Sequence, residues 1–260
     1  MNDVTRRTLV RGTAWSVPAV AASAAAPAHA TSTVPCEPVT AIVDWESAQF
    51  TRVSATQAYY EIPLSDGTTI RMDINSTFSQ MNSGDAWTRV NDNLALSEFN
   101  IGGTGQPGLV LHQNNWYHWN TYGHQDVTFT FDRPIASIDF AVTDIDASRG
   151  DFVDAVSISD NLVTTPNPGI GPRPYNGRTH YLPDKFVLYD NASGGNNLKA
   201  HGENITKFTI RYSNFDQEWQ YATGKKQDRD QRVFLTDFKL TVPPLSLIHI
   251  SEPTRPRLIS

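Results

Sequence analysis

Between Val127 and Ser159 the chain alternates apolar and polar residues more regularly than anywhere else, VTFTFDRPIASIDFAVTDIDASRGDFVDAVSIS. Val127, Phe129 and Phe131 alternate with Thr128 and Thr130, the period of two that a strand shows when one face is buried and the other wet. Asp132-Arg133-Pro134 interrupts the run and predicts a turn, because proline cannot donate to a ladder. Ile138, Phe140 and Val142 then oppose Ser137, Asp139, Ala141 and Thr143, up to an acidic corner at Asp144-Ile145-Asp146. A third strand follows, with Val153 and Ala155 expected inward beside Val156 or Ile158.

The same alternation, in shorter pieces, predicts strands elsewhere. Val39 to Trp45 is one. Ser54 to Leu64 and Thr68 to Ile74 form a hairpin about Ser65-Asp66-Gly67, a turn of the Asp-Gly kind. Asn75 to Gly108 is polar and reads as a long loop with local burial under Trp87. Leu109 to His112, Ile205 to Tyr212 and a closing run, Val233 to Val242, add further strands. Leu162 to Thr179 holds four prolines and three glycines, and reads as a surface excursion. No stretch has a convincing helical period. About ten short strands of this kind predict an all-β fold, a single antiparallel β-sandwich that is jelly-roll-like.

The two ends change the picture. Thr5-Arg6-Arg7-Thr8-Leu9-Val10, an apolar Ala-rich run from Ala14 to Ala26, and Ala28-His29-Ala30 make residues 1–30 a twin-arginine signal peptide cut after Ala30. The expected location is extracellular or cell-surface, reached by export of the folded domain. Cys36 is the single cysteine of the chain, so folding relies on no internal disulfide, and Cys36 reads as a tolerated surface residue. Residues 31–38 form a Pro-containing linker, and 39–244 the sandwich. Leu245 to Arg255, LSLIHISEPTR, resembles the translation of a sequencing-library adapter, so 245–260 is read as a non-native tail.

Charge then narrows the partners. The chain carries 21 Lys and Arg against 27 Asp and Glu, a net of −6, and the balance becomes more acidic once the ends are set aside. A nucleic-acid partner is not expected, since phosphate binding calls for a concentrated basic face. No apolar run in the mature part is long enough to span a bilayer, and a monomer is expected.

Two clusters are candidates for chemistry. Asp144, Asp146, Asp151 and Asp154 follow a strand closely enough to surround one hard cation, and calcium accepts such irregular oxygen sets. Calcium is the one cofactor the sequence suggests. The competing and favoured reading has these aspartates solvated, or bonded to backbone N–H groups and Arg149. Trp116, Tyr117, Trp119 and Tyr122, interspersed with Asn114, Asn115, His118 and Asn120, have the composition of a carbohydrate-binding surface; burial in the sandwich core is the competing and favoured reading. Catalytic patterns are weak: carboxylates for glycoside hydrolysis, drawn from Glu61, Asp139 or Glu218, have no fixing motif, and no H-E-x-x-H, G-x-S-x-G or P-loop occurs.

The run from Val127 to Ser159, with GLVLHQ before it and FLTDFKLTV near the end, resembles the β-sandwich domains of twin-arginine-exported actinobacterial surface and secreted proteins. Their recurring pattern is tFsrPV..lsFtitDID, matched here from Phe129 to Asp154. The resemblance implies an extracellular setting and an adhesive or scaffolding role and assigns no reaction. The expected function is therefore a non-catalytic module binding a cell-surface glycan or an extracellular protein. Alternatives are a carbohydrate-binding module working through Trp116 to Tyr122, and a jelly-roll glycan hydrolase or lyase.

Overall fold

The chain divides into two compact units, Met1–Pro35 and Cys36–Ser260. The computed structural model describes residues 38–65, 67–79, 91–113, 123–148, 152–188, 191–215 and 231–243, all within the second unit. Its strands are β1 Val39–Val43, β2 Phe50–Arg52, β3 Gln57–Pro63, β4 Thr69–Ser79, β5 Leu109–Gln113, β6 His124–Thr143 and β7 Ala147–Ser148. They continue as β8 Phe152–Ile158, β9 Val163–Pro166, β10 Ile170–Tyr175, β11 Arg178–Pro183, β12 Leu198–Asn214, β13 Gln231–Leu235 and β14 Phe238–Val242. All pairings are antiparallel, and the fold is the expected all-β sandwich.

Two long strands, β6 and β12, belong to both layers. Their lower halves pair from His124↔Ser213 to Thr130↔Lys207, within a sheet ordered β10-β11-β8-β12-β6-β4-β3-β2. Their upper halves pair from Ile135↔Ile205 to Val142↔Leu198, and there β9 flanks β12 while β14 and β13 flank β6. β1 and β5 complete this second layer by pairing with β14 and β13.

The expected turn at Asp132-Arg133-Pro134 is therefore corrected. The chain continues through it as one strand of 20 residues. Pro134 is tolerated because the β12 register shifts between Ile205 and Lys207, so no ladder partner there calls on its missing N–H. Asn204, at φ 53°, supplies the kink on the β12 side. The shift also breaks the alternation of β12, whose buried positions change phase at Ile205.

Between the layers lies an aromatic core. Phe129 and Phe208, direct cross-strand partners, stack at 4.7 Å between centroids. Phe238 of the opposing layer meets Phe129 at 5.3 Å and Phe140 at 4.7 Å. Trp45 closes this end, edge-on to Phe238 at 4.9 Å and to Tyr60 at 6.2 Å. Each such ring pair adds roughly 0.5–1.5 kcal/mol beyond the area it buries.

Four further expectations change. Leu162 to Thr179 is no excursion: it forms β9 and β10, and β10 turns through Asn176 (φ 50°) and Gly177 (φ 76°) into β11. Pro166, Pro172 and Pro174 sit on strands with a free edge, where an absent donor costs little, and Pro168 lies in the turn between β9 and β10. Val153 and Ala155 face a small second cluster with Ala147 and Leu182 instead of the main core, so their neighbour Asp154 points inward with Val156 and Ile158. The expected closing strand divides into β13 and β14 at Thr236-Asp237, and β4 runs on to Ser79.

Candidate functional site

One end of the sandwich gathers the ends of six strands. Ser79 of β4 pairs with His124 of β6, which pairs with Ser213 of β12; Asn214 pairs with Asp154 of β8; Gln231 of β13 pairs with Gln113 of β5. Segments 80–90, 114–122, 149–151 and 216–230 all join described residues at this end. Trp116, Tyr117, Trp119 and Tyr122 fall in the second of these segments and Asp151 in the third, so they lie outside the described residues.

Buried polar side chains tie the six strands together. Asp154 is fully buried. Its Oδ1 accepts from Tyr212 Oη at 2.7 Å and from Gln231 Nε2 at 2.9 Å, and its Oδ2 accepts from the Asp146 backbone N–H at 3.1 Å. Gln113 Nε2 donates in turn to Gln231 Oε1 at 2.8 Å. Alongside, Gln125 Nε2 donates to Ser76 Oγ at 2.8 Å and to Asn93 Oδ1 at 2.7 Å, and Asn93 Oδ1 also takes the His112 backbone N–H at 2.9 Å. Buried polar atoms joined in this way fix one arrangement of the strands, since any other leaves a donor unmet.

Burial, reinforced by the neighbouring Asp146 charge, pushes the Asp154 carboxyl well above the usual carboxylate range. At the rim, Asp92 contacts His112 Nδ1 and lies 2.9 Å from Arg232 Nε. Burial works against its charge, but the His112 hydrogen bond and the charge of nearby Arg232 hold it below the usual range.

The acidic corner can be tested against calcium. Asp144 takes a left-handed φ of 64° and is buried, as is Asp146. Three donors already converge on Asp154, and among the described residues no group of three or more His, Cys, Asp or Glu side chains is placed to hold a metal ion. The described part of the corner therefore acts as a hydrogen-bond hub and fits calcium poorly. Sequence reasoning missed Tyr212, Gln231 and Gln113, which are distant in the chain; a lone carboxylate flanked by apolar residues in Val153-Asp154-Ala155-Val156 was the available signal.

A second polar cluster lies on the outer face of the first sheet. Arg211 Nε and Nη2 donate to Asp126 Oδ1 and Oδ2, both at 2.7 Å, across directly paired positions. Burial opposes the Asp126 charge, but Arg211 outweighs it and holds the carboxyl below its usual range. His180 is buried beside Phe215 at 4.8 Å and Tyr175 at 6.2 Å. Burial, then the positive charges of Arg211 and Arg178, push its imidazole down to about 4.

The second layer carries a groove of about 500 Å³ on its outer face, lined by Asp139, Ala141, Val163, Lys199, His201 and Asp237 among others. No helix among the described residues is long and apolar enough to cross a membrane.

No family model matches the chain, and no curated protein matches it. Among solved structures, the N-terminal domain of a Streptococcus gordonii adhesin is similar at 13% identity and a TM-score of 0.40, over 78% of this chain and 50% of that one. The chain thus spans half the length of that structure. At this TM-score the likeness decides neither fold detail nor function.

Proposed function

We propose that the protein is an exported, non-catalytic module of the cell surface or extracellular space that binds through segments presented at one end of its sandwich. The observation that carries the reading is that the described residues flanking 80–90, 114–122, 149–151 and 216–230 belong to strand ends joined by the Asp154 and Asn93 hydrogen-bond networks. Strand ends tied by buried hydrogen bonds make a fixed base of the kind on which binding residues are commonly carried. The twin-arginine leader supports the location, and the composition of Trp116 to Tyr122 supports a glycan or an aromatic-seeking protein surface as partner.

The test uses the full chain produced in a host with a twin-arginine system. Protease added to intact cells is expected to remove the protein or find it already in the medium. Arg6→Lys with Arg7→Lys is expected to retain it inside. Retention of the parent protein in the cytoplasm, or export that ignores both substitutions, sinks the reading.

A further inference from the structure

The register of the second layer aligns five exposed residues in one row across it. Val163 of β9 pairs with His201 of β12, His201 with Asp139 of β6, Asp139 with Lys239 of β14, and Lys239 with Ile42 of β1. Val163 is 70% exposed and Ile42 50%. His201 Nδ1 and Asp139 Oδ1 lie 2.8 Å apart. The adjoining row, Thr165, Lys199 and Ala141, is small at Ala141, and this deficit of side chain opens the groove.

Its walls are fixed independently of any ligand. The turn Thr236-Asp237 forms one wall: Thr236 N–H donates to Ala141 O at 3.0 Å, and Thr236 Oγ1 accepts from Ala141 N–H at 2.9 Å. Behind it Trp45 donates its indole N–H to Thr236 O at 3.0 Å and its backbone N–H to Asp237 Oδ1 at 3.2 Å. β9 forms the other wall, held at four paired positions on β12 and by Thr164 Oγ1 against Tyr181 Oη at 2.6 Å. A pre-formed groove of this size is on the scale of small-ligand sites.

We propose that this groove binds a neutral glycan. His201 and Asp139 hydrogen-bond to each other within the lining, beside Lys199 and Asp237, so the groove presents donors and acceptors in near balance and no concentrated field of either sign. An anionic chain would meet Asp139 and Asp237, and a cationic one Lys199. A sugar hydroxyl both donates and accepts, and so matches both sides, while Val163 and Ala141 offer apolar contact to the C–H face of a ring. The site lies on a different face from the strand ends joined through Asp154 and Asn93, and the proposal stands apart from the export reading.

The test is affinity electrophoresis of the full chain in native gels containing dextran, galactomannan, xylan or mixed-linkage β-glucan, with polygalacturonate as the anionic comparison. Retardation is expected in at least one neutral gel, weakened tenfold or more by Asp139→Ala and by Lys199→Ala. Both side chains are exposed, so the variants should keep the parent circular dichroism spectrum and melting temperature. Replacing 114–122 by a Gly-Ser linker is expected to leave the retardation unchanged. The proposal is overturned if no neutral gel retards the protein, if only polygalacturonate does, or if retardation survives both substitutions. Loss of retardation with the linker alone assigns glycan capture to the sandwich end and overturns it too; the protease result on intact cells is scored separately.

Discussion

Tyr212 donates its phenolic O–H to Asp154 Oδ1 at 2.7 Å inside the sandwich, at a point where Gln231 Nε2 donates to the same oxygen. Removing the acceptor strands both donors together with the Asp146 N–H. Asp154→Ala is expected to cost about 3 kcal/mol or more, and Tyr212→Phe about 1 kcal/mol, in urea unfolding. Because burial raises the folded-state value above the ordinary 3.8, the stabilising contribution is fully present below pH 3.8 and is lost as pH rises through that higher value. Asp154→Asn should abolish this decline. A stability curve with the same slope in parent and variant would contradict the assignment.

His180 acts in the opposite sense. Its folded-state value of about 4 lies below the ordinary 6.5, so its contribution is present above pH 6.5 and is lost as pH falls through 6.5 toward 4. His180→Phe, which keeps a ring between Tyr175 and Phe215, should remove that loss. An NMR titration of the imidazole with a midpoint near 6.5 would refute it.

Gly102, at φ +56°, has no room for a methyl group: a Cβ there would lie 2.3 Å from Thr143 Cγ2. Gly105, at φ +75°, has nothing within 4 Å of the same position. Gly102→Ala is therefore expected to lower stability by about 2–4 kcal/mol, from overpacking plus a left-handed backbone, and Gly105→Ala by about 1 kcal/mol from the backbone alone. Equal melting temperatures for the two variants would show that the loop yields at Thr143.

Chelation with EDTA is expected to leave the melting temperature unchanged, because Asp154 is committed to Tyr212, Gln231 and the Asp146 N–H. A fall reversed by added calcium would instead recruit Asp151 with Asp144 and Asp146, since a ligand that binds only the folded state must raise its stability.

Much of the sandwich was legible in period-two alternation wherever one face is buried and the other wet, as at Val127 to Phe131 and Ile138 to Val142. Alternation fails where a strand is covered on both faces. In β8, Val153 and Ala155 occupy a second cluster, so apolar residues on both sides conceal that Asp154 points inward. Pro134 and the prolines of β10 read as breaks because proline forbids ladder donation, yet a bulge and a free edge never ask for it. The polar network at the sandwich end joins residues as far apart as Gln113 and Gln231, and no local window holds such a pairing. The groove depends on register between β9, β12 and β6, which composition does not carry.

β1 and β14 lie side by side with Val39 opposite Val242, so the chain enters and leaves the described sandwich at neighbouring points on one edge. Tension applied between those two points would load the β1–β14 bonds one after another, as a zipper is opened, instead of all at once in shear. The first strands to part would be these two. β6 and β12, which run through both layers and bury Phe129 against Phe208, would hold until the outer strands had gone. A module tethered by both flanks would therefore yield at its edge under load while keeping its groove strands and the polar network at the sandwich end together.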